Sequence, residues 1–278
     1  MARHDQQEFV YEPDDFEQIR HALYLKSGIR LIDSKDTLVY SRLTPRLRAL
    51  SLHKFSHYLS YLNATPDEDE YFINALTTNL TSFFREPHHF DTLATYLRRN
   101  PGSKTIWCAA SSTGEEAYSI AMTVAEVFGC FDNPVTIIAS DIDSEVLRTA
   151  KQGIYRREAI EKLSSEHKRC FFHRGKGTYK DQVRIVPELA KNVSFRRINL
   201  MEPNWPLSGP VDIIFCRNVM IYFDKQTQLT ILKRMVALMP DNGMYVAGHS
   251  ENYNKNPELV TPVGKTLYRP NREVQCYG

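Results

Sequence analysis

Residues 105–116 read TIWCAASSTGEE, and this stretch constrains the fold of the chain more tightly than any other. Thr105–Ala110 is a short apolar run with branched and aromatic side chains, the composition of a buried strand. Ser111–Gly114 supplies small residues for a tight turn. Glu115–Met122 then opens a helix that Ser112 or Thr113 is placed to cap. Strand, small-residue turn and helix make the first half of a nucleotide-type βαβ unit. A pyrophosphate binder presents bare backbone N–H groups at that helix start, without negative charge. Two carboxylates, Glu115 and Glu116, occupy the position instead, and the turn lacks G-x-G-x-x-G. A ligand with ribose hydroxyls, an ammonium and a sulfonium suits two acids better than NAD or ATP does, and S-adenosylmethionine is such a ligand. The helix dipole alone would also account for acids in the first turn.

The chain has 278 residues, enough for one large or two modest domains. Its 42% hydrophobic and 24% charged residues are those of an ordinary globular protein. Thirty-five Lys+Arg against 33 Asp+Glu give a net charge of +2, so no overall field for nucleic acid exists and no nucleic-acid partner is expected. The opening residues MARHDQQEFVYEPDD lack the apolar centre of a signal peptide, and no apolar run reaches membrane-spanning length, so direct membrane insertion is not expected. The five cysteines, Cys108, Cys130, Cys170, Cys216 and Cys276, are odd in number and scattered. They form neither a disulfide framework nor a C-x-x-C metal pattern, and a reduced, cytoplasmic setting is expected.

Residues 1–75 read as a small helical domain. Phe16, Ile19 and Leu23 mark one helix closed by Gly28. Leu38–Leu50 is a second helix, which Pro45 interrupts or, with Thr44 as cap, restarts. His53–Leu62 is a third and Asp69–Leu76 a fourth, the last following an acidic start at Thr65–Glu68. The second helix carries Arg42, Arg46 and Arg48, either a solvated face or a docking face for an acidic partner. His53 and His57 have i,i+4 spacing without a third ligand nearby, and His88 and His89 are adjacent and cannot share one helix face, so no metal site is expected.

Residues 76–278 read as an α/β domain. Further strands are expected at Pro134–Ser140, Val193–Leu200, Val211–Cys216, Met244–Gly248 and Thr266–Arg269, with helices at Phe90–Arg99, Ser144–Lys151 and Lys225–Leu238. Without a long helix between the last two strands, that sheet edge should be partly antiparallel. Asp141 ends the second strand, where an acid commonly takes ribose hydroxyls, and Asp143 can cap the next helix. A segment at about 168–190 breaks the alternation. Its core, CFFHRGKGTYKDQVRIVP, reads as a small antiparallel β insertion with a Gly175-Lys176-Gly177 turn. Its free edge could take an extended peptide as an added strand, or the whole could be a structural flap. His249-Ser250-Glu251 invites a hydrolase reading, but no G-x-S-x-G elbow accompanies it, which leaves a structural or substrate-loop role.

The motifs NALTTNLTSFFRE, AASSTGEEAYSIAM, ASDID, INLMEP, FCRNVMIYFDK and GHSEN occur in this order. Together they resemble the chemotaxis receptor glutamate methyltransferases, CheR, from about residue 15 to residue 269. The resemblance implies a Rossmann-like class I methyltransferase sheet, a small all-helical N-terminal domain and a small antiparallel β insertion. It also implies an enzyme that uses S-adenosylmethionine, leaves S-adenosylhomocysteine, and methyl-esterifies glutamates on the helical cytoplasmic domains of chemoreceptors. By resemblance, Asn79, Thr81, Arg85, Glu116, Asp141, Asn199, Leu200, Arg217 and Asn218 contact or border the cofactor. Arg85 and Tyr222 fall near the transferred methyl. The helix with Arg42, Arg46 and Arg48 would meet the receptor, although Pro45 departs from the family pattern there. The G-K-G turn is similar to that of members whose insertion binds a peptide tethered to the receptor C-terminus. Two other classes stay open: a methyltransferase for a small molecule or nucleic acid, and a non-catalytic module that keeps the fold and senses S-adenosylmethionine.

Overall fold

The apolar stripe Phe16, Ile19 and Leu23 is buried on α1 (Pro13–Ser27), and Gly28 closes the helix at φ 74°, its N–H donating to Tyr24 C=O over 2.8 Å. The structure, a computed structural model, describes residues 8–207 and 209–271; Cys276 lies outside them. It divides into two units, one made of the chain up to Thr78 with Tyr222–Thr227, the other of Asn79–Ile221 and the chain from Gln228 onward.

The first unit is helical. After α1 come α2 (Asp36–Ala49), α3 (Phe55–Ala64) and α4 (Glu68–Leu76). Pro45 neither breaks nor restarts α2, contrary to the expectation from sequence. Val39, Leu43 and Leu47, all fully buried, lie on both sides of it along one face and keep the helix continuous through a residue that costs about 3 kcal/mol in a helix interior. Thr44 caps nothing; its hydroxyl donates to Tyr40 C=O over 2.7 Å. Glu68, first residue of α4, is buried and accepts from Arg46 Nε at 2.8 Å and Nη2 at 2.5 Å, and from the Tyr58 hydroxyl at 3.0 Å.

The second unit alternates strands and helices: α5 (His88–Arg99), β1 (Lys104–Cys108), α6 (Glu115–Phe128), β2 (Val135–Asp141) and α7 (Ser144–Gln152). Then follow β3 (Ile154–Arg156), α8 (Ser165–Phe171), β4 (Phe172–Arg174), β5 (Gln182–Ile185), α9 (Pro187–Ala190), β6 (Val193–Arg197) and β7 (Ile213–Cys216). The last elements are α10 (Lys225–Ala237, whose first turn belongs to the helical unit), β8 (Met244–Ala247), β9 (Val260–Gly264) and β10 (Leu267–Pro270). The main sheet has the order β6-β2-β1-β7-β8-β10-β9. Its first five strands are parallel, and β10 pairs antiparallel with both β8 and β9. The antiparallel edge was expected; β9 was not, because its Val-Thr-Pro-Val-Gly carries a proline and a glycine that mask a strand in sequence. Ile106, Ile137, Ile213, Phe215 and Val246 pack with Leu93, Leu97, Ile120 and Val124 of α5 and α6 in one apolar core.

The insertion is a three-stranded antiparallel sheet, β3-β5-β4. The 168–190 span holds β4 and β5, while β3 lies upstream, before α8. At the Gly175 turn a Cβ would lie 1.9 Å from Tyr179 C=O, so only glycine fits.

Candidate functional site

The chain leaves β1, winds outward through β2 to β6, and returns to place β7 on the other side of β1. Strand order therefore reverses between β1 and β7, the point where open α/β sheets leave a crevice for ligands at the carboxyl ends. The turn after β1 and the segment after β7 meet there.

The β1–α6 turn is held in a demanding conformation. Ser112 has φ 49° and Gly114 φ 97°, and a Cβ on Gly114 would lie 2.8 Å from Ala150 Cβ. The residue at the start of α6 is therefore Gly114 itself, without a side-chain cap; neither Ser112 nor Thr113 fills that role. Ser112 N–H instead donates to Asp141 Oδ2 over 2.8 Å, and Thr113 Oγ1 donates to Glu115 Oε2 over 2.6 Å.

Asp141 ends β2, buried, and Asp143 N–H donates to its Oδ1 over 3.1 Å. Burial raises its carboxyl to about 6, against the pull of the Asp143 and Ser112 N–H groups. Asp143 caps α7 as expected, accepting from Glu145 N and Val146 N, and takes Asn79 Nδ2 at 2.7 Å on its other oxygen. Ser112 Oγ donates to Asn79 C=O over 3.2 Å. Asn79, Asp141 and Asp143 thus form one polar group around the β1–α6 turn. Asn199 and Leu200 follow β6 beside it, since Ile198 N–H donates to Asp141 C=O over 3.0 Å. Asn199 Oδ1 accepts from Met201 N, and Leu200 C=O from Arg234. Thr81 is partly buried, two residues beyond Asn79.

A second group centres on Arg217, just after β7. Its fully buried guanidinium pairs with Glu116 through Nη1, donates through Nη2 to Arg85 C=O over 2.6 Å, and lies 3.4 Å from Glu86 Oε1. Glu116 is therefore not a bare acid at a helix start. Its carboxylate faces a guanidinium, and Cys108 Sγ donates to its other oxygen over 3.4 Å. Burial raises the Glu116 carboxyl, and Arg217 opposes the rise. The sequence reading of a doubly acidic nook is corrected accordingly: Glu116 is neutralised by a partner 101 residues away, and Asp141 is the acid at the strand ends. Arg85 Nη1 donates to Leu80 C=O over 3.1 Å.

Asn218, at φ 59°, sits in a loop organised by Glu251. Glu251 Oε2 accepts from Gly248 N at 2.6 Å and Asn218 N at 3.0 Å; Oε1 accepts from Val219 N at 3.0 Å and Met220 N at 2.8 Å. Of the structural or substrate-loop roles expected for His249-Ser250-Glu251, the glutamate fills the structural one: it ties the end of β7 to the end of β8. A Cβ on Gly248 would lie 2.6 Å from Asn218 Nδ2. Tyr222 belongs to the helical unit, where Arg30 N–H donates to its carbonyl over 2.9 Å.

The arrangement fits S-adenosylmethionine. Ser111 Oγ and Arg217 Nε are buried without a hydrogen-bond partner among the described residues, one in the β1–α6 turn and one in the adjoining guanidinium group, so polar capacity for a ligand remains at the crevice. A buried strand-end acid that titrates near 6 is ionised at neutral pH and can accept ribose hydroxyls.

Comparison with known proteins agrees. A family model described as "CheR methyltransferase, SAM binding domain" matches residues 79–269, and "CheR methyltransferase, all-alpha domain" matches 14–77. Chemotaxis protein methyltransferase 2 of Pseudomonas aeruginosa is 52% identical over 267 residues, covering 95% of each chain. The chemotaxis protein methyltransferases of Escherichia coli and Salmonella typhimurium are 46% and 47% identical over 260 residues, covering 93% of this chain and 91% and 90% of theirs.

Proposed function

The chain belongs to the CheR methyltransferase family, and on that premise we propose how its residues divide the work of binding and methyl transfer. It is an S-adenosylmethionine-dependent chemotaxis methyltransferase, esterifying receptor glutamates. S-adenosylmethionine supplies a methyl group made electrophilic by its sulfonium, and S-adenosylhomocysteine is left. The acceptor glutamate is ionised at neutral pH, with an unperturbed pKa of about 4.3, so the protein need not remove a proton. Its task is to bind, to orient and to strip water from the carboxylate.

Asp141 accepts the ribose hydroxyls in this reading, and Asn199 with the Leu200 backbone faces the adenine. Asn79 and Thr81 border the site beside Asp143. Asn218 and Arg217 stand toward the methionine portion, with Glu116 holding Arg217 in place. Arg85 orients the acceptor carboxylate in fork geometry, or else the cofactor's own carboxylate. Tyr222 steers the acceptor through its hydroxyl, an assignment that rests on the family resemblance. The observation that carries the reading is the buried Asp141 carboxylate, held by Ser112 at the reversal point of the sheet.

The partner is the helical cytoplasmic domain of a chemoreceptor, met by the helix with Arg42, Arg46 and Arg48, and the edges β3 and β4 are open to a receptor C-terminal peptide. Among the described residues no helix is long and apolar enough to cross a membrane.

The test is radiolabelled methyl transfer to chemoreceptor-containing membranes, read as base-labile product. Arg85→Ala and Tyr222→Phe should each lose turnover, and Asp141→Ala should weaken S-adenosylhomocysteine binding in calorimetry. Full turnover in the first two removes the catalytic roles; unchanged affinity in the third removes the pocket.

A further inference from the structure

Glu86, His88 and His89 follow Arg85 in sequence, the two histidines opening α5. One ligand-type atom from each lies within 4.8 Å of the others. The rings of His88 and His89 meet, their centroids 4.1 Å apart, despite being neighbours in sequence. Glu86 Oε2, His88 Nε2 and His89 Nδ1 are buried, and none has a hydrogen-bond partner among the described residues. Three orphaned polar atoms in one place are costly, because each has given up water for nothing in return.

The surrounding network assigns the His89 tautomer. His89 is fully buried, and its Nε2 lies 2.7 Å from Thr266 Oγ1. Thr266 spends its own proton on Lys265 C=O, over 2.6 Å. Its oxygen must therefore accept, so His89 Nε2 carries the proton and Nδ1 presents a bare lone pair. That lone pair lies 3.8 Å from Glu86 Oε2, an acceptor facing an acceptor. A histidine whose outer N–H is held by a polar partner while its inner nitrogen is bare is in the state in which histidines ligate metals. Arg217 faces two carboxylates, Glu116 and Glu86, and Glu86 is the one that also faces His89.

We propose that Glu86, His88 and His89 bind a divalent transition-metal ion of the zinc type, through one carboxylate oxygen and two imidazole nitrogens, with water completing a four-coordinate shell. Two imidazoles select this class over Mg²⁺ or Ca²⁺, which take oxygen ligands. The ligand atoms, within 4.8 Å of one another, would close to about 3.4 Å apart around an ion with bonds of about 2.0–2.2 Å. The ion would brace the turn 84–89, where Phe84 and Glu86 both hold positive φ, 52° and 57°, and whose Arg85 carbonyl accepts from Arg217. This inference does not depend on the methyl acceptor or on the assigned cofactor contacts.

The test uses the full-length chain, stripped with a chelator and titrated with Zn²⁺ against a chromophoric competitor, then with Co²⁺ while its visible bands are recorded. One tight equivalent with a four-coordinate Co²⁺ spectrum is expected. Glu86→Gln and His88→Ala should each weaken that equivalent by at least about tenfold, while His53→Ala should keep it. Absence of a tight equivalent, or equal affinity in Glu86→Gln and His88→Ala, overturns the proposal. Should a variant fail to fold, Co²⁺-shifted ring protons of His88 and His89 in the unmodified chain decide: their presence supports the site and their absence overturns it.

Discussion

Arg46 with Glu68 in the helical unit and Arg217 with Glu116 in the sheet unit are the same pair chemically, an arginine on a buried glutamate, yet they do different work. Around Glu68 the arrangement is closed. Both oxygens accept, Tyr58 adds a third donor, and the Arg46 guanidinium stacks 3.9 Å from the Tyr71 ring centre. Around Arg217 the arrangement is open: among the described residues Nε has no partner and Ser111 Oγ is unspent, and Glu86 stands close. A buried ion pair whose hydrogen bonds are all used holds a fold together. One that keeps capacity in reserve marks a place where something else binds. The same contrast revises the basic helix. Of its three arginines, Arg46 is committed to Glu68 and Arg42 donates to Thr77 C=O, while Arg48 pairs with Glu8 in a setting more than half exposed. Arg48 is the one most available to a partner.

Mutation separates the two arginine–glutamate pairs. Arg217→Ala should have the largest effect. It leaves Glu116 buried without a countercharge, a change worth about 3–5 kcal/mol, and calorimetry should show S-adenosylhomocysteine binding lost along with stability. Arg46→Ala should cost about 3 kcal/mol of stability in denaturant melts and leave cofactor affinity at the unmodified value. If Arg46→Ala weakens the cofactor as much as Arg217→Ala does, the distinction between closed and open pairs fails. Glu251→Gln turns an amide NH₂ toward two backbone N–H donors and should cost about 2 kcal/mol, visible as a lower Tm.

Acidity gives a smaller and graded effect. The Asp141 carboxyl is raised to about 6, so it is charged above that pH and protonated below it. Cofactor affinity should hold above pH 6 and fall as the pH drops through 6, by up to about tenfold per unit; Asp141→Asn should flatten the profile. The raised value means that the ionised form is the less favoured one when folded, so this group's contribution to stability is greatest below its unfolded pKa and is lost as the pH rises through 6. The smallest effect is expected from Arg48→Ala. Tm should not change, while receptor methylation should slow at low salt, the difference shrinking as salt rises.

Much of this was legible in the chain. The TIWCAASSTGEE stretch declares strand, turn and helix because apolar runs, small residues and first-turn acids each act within a few positions. The polar residues at the ends of β2 and β7 could be marked because an α/β sheet has to place its loops at strand ends. The continuity of α2 through Pro45 was not legible, because a local penalty of about 3 kcal/mol is overridden by burial of Val39, Leu43 and Leu47 against other elements. The capping residue of α6 was misread for a related reason: the close approach of Ala150 demands glycine at position 114, and that neighbour lies 36 positions away.

From sequence alone came the class of sheet, the helical first unit, the antiparallel edge and the family, since each rests on periodicity, turn chemistry or motif order along the chain. Which charges are spent is set by the folded contacts. Glu116 and Arg217, like Arg46 and Glu68, are identifiable as charged residues from the letters, but whether a carboxylate is neutralised, bare or orphaned depends on what folds against it. In a medium stripped of water that difference is worth several kcal/mol, and no spacing rule encodes it.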